Sequence, residues 1–181
     1  MKERTEKDIT AQWLTSKSRL EQSNEPNNWY LLDNELFKDE DGSIYLVPRG
    51  YKTDNYTIPD WIAWLGGNKA KWDVRPSHIH DFGCQYHGLI KVNLDEKQLK
   101  QKGFLKSFED KIICKDILED YLYFVPFTKW QINCLFKRAM KATGNIQAKV
   151  YNLYRIGVVL NFGWFKEYPI YNFEKIYERE A

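Results

Sequence analysis

The sequence predicts an α+β fold, in which a small antiparallel hairpin or sheet packs against several helices. Two extended runs, residues 29–37 and 43–48, flank the segment KDEDG, whose acidic residues and glycine suit a tight reversal. Further along, residues 127–144 place apolar side chains at helical spacing between a capping signal and a glycine. The chain of 181 residues is long enough for one such domain with appended segments.

The overall charge argues against a partner chosen by electrostatics. With 27 basic and 25 acidic residues, the net charge of +2 is too small for a nucleic-acid or anionic-membrane footprint. The basic run KQLKQKGFLK is short and lies beside acidic residues, so a solvated helix face is expected there and direct nucleic-acid binding is not. No membrane association is expected either, because no apolar run approaches the length of a bilayer span and the start MKERTEKDIT lacks the apolar core of a signal peptide.

The three cysteines indicate free thiols. Cys84, Cys114 and Cys134 are odd in number, widely spaced and contain no CxxC pair, so a disulfide framework is not expected. This usage suits a protein kept in a cytosol, or carried in a particle that is assembled there.

Residues 1–28 are predicted to be an extended arm and linker. Ile9 and Trp13 lie at helical spacing within residues 5–20, and the polar stretch EQSNEPNN with its proline follows. This apolar stripe is too thin to fold alone, so the arm needs a surface to lie on. We therefore predict that Trp13 is an interface residue.

Residues 29–163 form the predicted single α+β domain. Beyond the hairpin, a short helix is expected over 59–67, from a proline to two glycines, and a second helix of about three turns from Pro76 to Gly88. Residues 89–126 mix signals and read as an insertion: LIKV, GFLKS and KIIC look extended, whereas DEKQLKQK and DILEDYLYF look helical.

The C-terminal third predicts a helical hairpin and a docking tail. Thr128 and Gln131 stand in a capping-box relation, and five apolar residues share one helix face: Ile132, Leu135, Phe136, Ala139 and Met140. A second helix is expected over 145–163, antiparallel to the first. The tail, residues 164–181, alternates aromatic and charged residues, and its predicted interface residues are Trp164, Phe165, Tyr171 and Phe173.

All three histidines of the chain fall inside HIHDFGCQYH, residues 78–87. On a helix, His80, Cys84 and His87 lie at i, i+4 and i+7 within one narrow sector, Asp81 lies beside them, and His78 points almost opposite. An i, i+4 pair of imidazole and thiolate can hold a metal ion. A further ligand would have to come from elsewhere, and Asp54 in the KTDN loop is the natural candidate.

Two other interpretations of the cluster are open. Cys84 could be a nucleophile with His80 or His87 as its base, although no oxyanion feature is recognisable. Alternatively, His80 and Asp81 have a structural role and hydrogen-bond a neighbouring loop through Thr53 and Asp54. The structural role is favoured, so no catalytic residue, metal ligand or cofactor is predicted as the first choice.

Three separated motifs resemble the phage and prophage proteins grouped as domain of unknown function 1353. They are VPRGYKTDNYTIP at 47–59, the HD pair at 80–81, and FKRAMKATG at 136–144. The resemblance covers about residues 43–163, interrupted by the segment 89–126. The positions that match the family pattern are Thr53, Asp54, Ile58, Pro59, His80 and Asp81.

The chain departs from the family pattern at two places. Asn133 stands where the family carries an acidic residue, and Phe82, Gly83 and Cys84 replace an aromatic, Leu, Tyr run. If the family's His, Asp and acidic residue form a metal or acid/base site, an amide in place of the carboxylate removes a charge that such chemistry needs. Asn133 can still form hydrogen bonds, so it is predicted to belong to a structural motif with the matching residues.

The resemblance implies a bacteriophage origin. Together with the arm, the insertion and the tail, it predicts a structural protein of the virion neck or tail region, a connector or ring-type component that contacts other virion proteins as a homo-oligomer. One alternative is a metal-dependent hydrolase with a divalent ion at His80, Asp81 and Asp54, joined by Cys84 or His87. Another is a small phage protein that binds a host enzyme.

Overall fold

The computed structural model of the protein describes residues 10–15, 17–22, 24, 28–53, 73–101 and 121–143. Over these residues the chain forms two antiparallel sheets, of five and three strands, and three helices. The predicted α+β class is therefore confirmed. In chain order the elements are β1 (Gln12–Trp13), β2 (Leu20–Gln22), β3 (Trp29–Leu31), β4 (Glu35–Lys38), β5 (Ile44–Val47), β6 (Lys52–Thr53), α1 (Arg75–Tyr86), β7 (Gly88–Val92), α2 (Glu96–Gln101), β8 (Leu122–Pro126) and α3 (Lys129–Lys141).

The predicted hairpin is confirmed by β4 and β5 in the larger sheet, whose strand order is β1-β4-β5-β7-β8. The predicted single run over 29–37 is wrong, because it divides into β3 and β4, which belong to different sheets. Strands β4 and β5 pair in the register Leu36 to Leu46. Their turn is closed by the Asp39 amide, which donates to the Ser43 carbonyl at 2.8 Å, and it places Gly42 at φ 84°. Glycine occupies this left-handed backbone conformation without steric cost, so the turn needs the glycine that the sequence supplies.

The helical spacing of Ile9 and Trp13 does not lead to a helix over the described residues. Gln12 and Trp13 form strand β1 and pair with Lys38 and Phe37 of β4. The Leu14 amide extends this pairing by donating to the Leu36 carbonyl at 2.9 Å. A free sheet edge offers backbone partners that outweigh a thin apolar stripe, so tertiary pairing decides the local structure.

The second sheet is smaller and has the order β2-β3-β6. Strand β2 pairs with β3 in the register Glu21 to Tyr30, and β3 pairs with β6 in the register Trp29 to Thr53. Strands β1 and β2 thus both lie N-terminal to the boundary predicted at residue 28 and pair with strands beyond it. For these residues, the predicted arm lies on the sheets of the same chain.

The helical prediction for DILEDYLYF is also wrong at its described end. Leu122 begins β8, which pairs with β7 in the register Ile90 to Phe124 and lies at one edge of the five-stranded sheet. The aromatic residues Tyr123 and Phe124 favour a strand when a partner strand is available. The extended prediction for LIKV and the helical prediction for DEKQLKQK are confirmed by β7 and α2.

Helix α1 confirms the predicted helix over the histidine stretch. It starts with a proline in its first turn and ends at His87, whose φ of 56° is left-handed and whose amide donates to the Gly83 carbonyl. Strand β7 begins at Gly88, directly after this cap. A Cβ added there would lie 2.4 Å from the Val125 carbonyl oxygen, so only glycine fits at this point.

Helix α3 follows its sequence signals closely. Thr128 accepts a hydrogen bond from the Gln131 amide, and the Gln131 side chain accepts one from the Thr128 amide, which confirms the capping box. The inward face is the predicted one, with Ile132, Leu135, Phe136, Ala139 and Met140 all buried. Helix α3 packs on α1, and α1 packs on β5 and β7, so these helices and the sheet enclose one apolar core.

Several predicted features lie outside the described residues. They are the helix over 59–67, the segments GFLKS and KIIC, Cys114, the helix over 145–163, and the tail with Trp164, Phe165, Tyr171 and Phe173. Of the motif residues, Asp54, Ile58 and Pro59 also lie outside them. Among the described helices, none is both long enough and apolar enough to cross a membrane.

Candidate functional site

The candidate site lies where α1 packs against α3, around the imidazole of His80. Nε2 of His80 is 3.0 Å from Oδ1 of Asn133, and Nδ1 is 3.3 Å from Oδ1 of Asp81. The imidazole ring also packs on Phe136, with ring centroids 4.7 Å apart. His80 is buried, with 8% of its surface exposed. Both ring nitrogens of a buried histidine therefore have hydrogen-bond partners.

Two opposing effects determine the protonation of His80. Burial lowers the pKa of this imidazole, because it penalises the charged form. The electrostatic interaction with Cys84 and the hydrogen bond to Asp81 act in the opposite direction and outweigh burial, raising the pKa of His80 from 6.5 to about 10. At neutral pH the ring is then an imidazolium that donates from Nδ1 to Asp81 and from Nε2 to Asn133.

Cys84 is the third polar neighbour of His80. Its Sγ lies 3.6 Å from Nε2, one helical turn along α1, and its side chain is partly exposed. The i, i+4 relation predicted for His80 and Cys84 is therefore present. The sulfur and the Asn133 oxygen both face the same N–H group of the imidazole.

His87 does not extend this face. The prediction counted His87 at i+7 of a continuous helix, but the chain leaves helical geometry at His87, where φ is 56°. Its side chain is exposed, and its carbonyl accepts a hydrogen bond from the Phe127 amide at 3.0 Å, where β7 begins and β8 ends. The left-handed cap removes His87 from the sector that holds His80 and Cys84.

His78 points away from the site, as its helical position predicts. It is fully buried at 0% exposure, and its Nδ1 lies 3.1 and 3.0 Å from the two carboxylate oxygens of Glu35 on β4. Glu35 is itself 2% exposed and was not among the predicted residues. In the sequence, Glu35 is an acidic residue two positions before Phe37. This spacing places it on the same strand face as a core aromatic residue and could have identified it as buried.

Trp13, predicted as an interface residue, has contacts within the chain. Its ring lies 5.1 Å from that of Phe37, the Arg75 guanidinium stands 4.9 Å over it, and its indole N–H donates to the Ala139 carbonyl at 3.2 Å. These contacts join β1 to the sheet, to α1 and to α3. Whether Trp13 also contacts a partner stays a prediction.

The predicted metal ligands are only partly brought together. His80, Asp81 and Cys84 are neighbours, whereas His87 is turned away and Asp54 lies outside the described residues. Within residues 73–101, 121–143 and the other described parts, no group of three His, Cys, Asp or Glu side chains is arranged to hold a metal ion. Thr53 lies buried on β6, and the partners of His80 given above come from α1 and α3. The metal site stays a prediction.

Comparison of the chain with protein-family models, with curated proteins and with solved structures finds no match. The similarity to domain of unknown function 1353 therefore stays an expectation from the three sequence motifs.

Proposed function

We propose that the chain is a structural component of a bacteriophage particle, located in the neck or tail region and acting through protein contacts within a homo-oligomeric ring. The phage origin rests on the motif resemblance. The structural role rests on the chemistry around His80, and these two supports are independent of each other.

One observation carries the structural role: the 3.0 Å contact between Nε2 of His80 and Oδ1 of Asn133. A metal ligand or general base needs a free lone pair on an imidazole nitrogen. In His80, one nitrogen faces the Asn133 amide and the other faces the Asp81 carboxylate. A ring that donates from both nitrogens joins two helices but has no lone pair to offer, which favours structure over hydrolysis.

Exposed aromatic residues supply surfaces for protein contacts. Trp130, at the start of α3, is 71% exposed, and Tyr123 on β8 is 42% exposed. Aromatic side chains of this kind contribute strongly to interfaces because they bury a large area at a small entropy cost. They are consistent with a chain that works by association.

Quantitative mass spectrometry of purified particles tests this proposal. Particles of the phage that encodes the chain would be purified by density gradient, and the peptides of this chain would be compared with those of the capsid protein. We expect a constant number of copies per particle, above one. The proposal would be overturned if the chain were abundant in infected lysate and absent from the particles.

The hydrolase alternative has its own test. Metal content would be measured on purified wild-type protein and on a His80→Ala variant. We expect no stoichiometric divalent metal in either. One metal ion per chain in the wild type, lost in the variant, would favour the hydrolase instead.

A further inference from the structure

The arrangement of Cys84, His80 and Asp81 has the features that activate a thiol. The sulfur lies 3.6 Å from an imidazole nitrogen, and the other nitrogen of that ring lies 3.3 Å from a carboxylate oxygen. The carboxylate orients the ring and favours its protonated form, and a protonated ring favours the thiolate through a charge-assisted hydrogen bond. The thiol is also partly exposed, so a small molecule can reach it.

We propose that Cys84 is a nucleophilic thiol and a modification site for small electrophiles, with His80 as its ion-pair partner. This inference goes beyond the structural role and does not depend on the phage assignment. The burial of the imidazole and its packing on Phe136 at 4.7 Å hold the ring in place beside the sulfur. The pKa of His80, raised toward 10 by the Cys84 sulfur and Asp81 against the effect of burial, agrees with this pairing.

Hydrogen peroxide is one reactant of the proposed class. The Cys84 thiolate attacks one peroxide oxygen, and an S–O bond forms as the O–O bond breaks. Sulfur is oxidised to the sulfenic acid, and the second oxygen leaves as hydroxide, which takes the proton from His80 and becomes water. The step is balanced by peroxide alone, and it removes the proton with which His80 donates to Asn133. Oxidation of Cys84 is therefore expected to weaken the contact between α1 and α3.

Cys134 provides a matched control within the same chain. It lies on α3, next to Asn133, and its side chain is also partly exposed. Among the described residues it has no hydrogen bond to an imidazole. Both cysteines are partly exposed, and each has a cationic group one helical turn away. For Cys84 this group is the imidazole of His80, whereas for Cys134 it is the Arg138 guanidinium, which is hydrogen-bonded to Asp39. A higher rate at Cys84 would therefore report the effect of the imidazole.

Alkylation by iodoacetamide tests the proposal. This reagent is uncharged, so nearby charges neither attract nor repel it, and its rate reports the reactivity of the thiol. One variant keeps Cys84 (Cys114→Ser, Cys134→Ser), and the other keeps Cys134 (Cys84→Ser, Cys114→Ser). At about pH 6.5, we expect Cys84 to react about tenfold faster than Cys134. Intact-mass measurement follows the alkylation of each variant over time. If Cys84 reacted no faster than Cys134, the proposal would be overturned.

A second variant separates activation from simple exposure. His80→Gln in the chain that keeps only Cys84 should reduce the rate to that of Cys134, because glutamine cannot carry the positive charge. An unchanged rate would also overturn the proposal. If circular dichroism showed that this variant does not fold, Asp81→Asn would take its place, with a several-fold loss of rate expected and an unchanged rate counting against the proposal. Trapping of the sulfenic acid by dimedone after peroxide treatment, at Cys84 and not at Cys134, is the matching oxidative readout.

Discussion

His80 on α1 and Asn133 on α3 are joined by a 3.0 Å contact between Nε2 and Oδ1, although 53 positions separate them in the sequence. The contact joins the two longest described helices beside the core residue Phe136, on which the imidazole packs. An amide oxygen that accepts from a buried imidazolium satisfies the donor and adds no second charge. Asn133 is thus suited to binding two helices together.

Removal of this acceptor should destabilise the fold. In an Asn133→Ala variant the buried His80 N–H loses its oxygen acceptor and keeps only the Cys84 sulfur at 3.6 Å, so the free energy of unfolding should fall by about 1 to 3 kcal/mol. Urea denaturation measures the change. Asn93, exposed just after β7 and without a side-chain hydrogen bond in the described part of the chain, is the control. Asn93→Ala should change the free energy of unfolding by less than about 0.5 kcal/mol.

The contribution of His80 to stability should depend on pH. Its pKa in the folded chain is raised from 6.5 to about 10, by Cys84 and Asp81 acting against burial. A raised pKa means that protonation stabilises the folded state. This stabilisation is fully present below about pH 6.5 and is lost as the pH rises toward 10. The difference in unfolding free energy between the wild type and His80→Gln should therefore shrink over that range in urea titrations, and a difference that grows with pH would contradict this assignment.

Trp13 should anchor strand β1. Trp13→Phe keeps an aromatic ring against Phe37 but removes the N–H that donates to Ala139, at a cost of about 1 kcal/mol. Trp13→Ala removes the ring as well, and should increase hydrogen exchange at the amide of Leu14, which pairs with β4. Trp130→Ala is the matched control, because Trp130 is 71% exposed. It should leave both exchange and stability nearly unchanged.

Gly88 should tolerate no side chain. A Cβ at this position would lie 2.4 Å from both the Val125 carbonyl oxygen and the Phe124 ring. Gly88→Ala should therefore separate β7 from β8 and cost about 3 kcal/mol or more of unfolding free energy. Gly42→Ala is the comparison: φ is +84° there and the space is open, so only the backbone strain of about 1 to 2 kcal/mol applies. A larger loss for Gly42→Ala would contradict the argument.

The parts of the fold that were predictable are those with local signals. The capping box of Thr128 and Gln131 and the five apolar residues behind it define α3, and the turn with Gly42 defines the hairpin. Strand β1 was mispredicted because its structure comes from a distant partner strand: Gln12 lies opposite Lys38, 26 positions further on. Backbone pairing over such a distance has no local signature.

In the candidate site, too, the contacts within one helix were predictable and those between distant elements were not. His80 and Cys84 were predicted as neighbours because both lie on one helix. His87 was misplaced because a left-handed cap ends the helix one residue earlier than the periodicity implies. Glu35 was not predicted because its partner His78 is 43 positions away, and a buried contact between a histidine and a carboxylate on different elements depends on the tertiary fold.

The most direct test of the structural role of His80 is the state of its two ring nitrogens. Protein with ¹⁵N-labelled histidine would be studied by NMR at about pH 7, before and after addition of one equivalent of zinc. We predict that Nδ1 and Nε2 of His80 both show the shifts of protonated nitrogens, and that zinc leaves them unchanged. A non-protonated nitrogen in His80 whose signal moves on addition of stoichiometric zinc would contradict the account and favour a metal site.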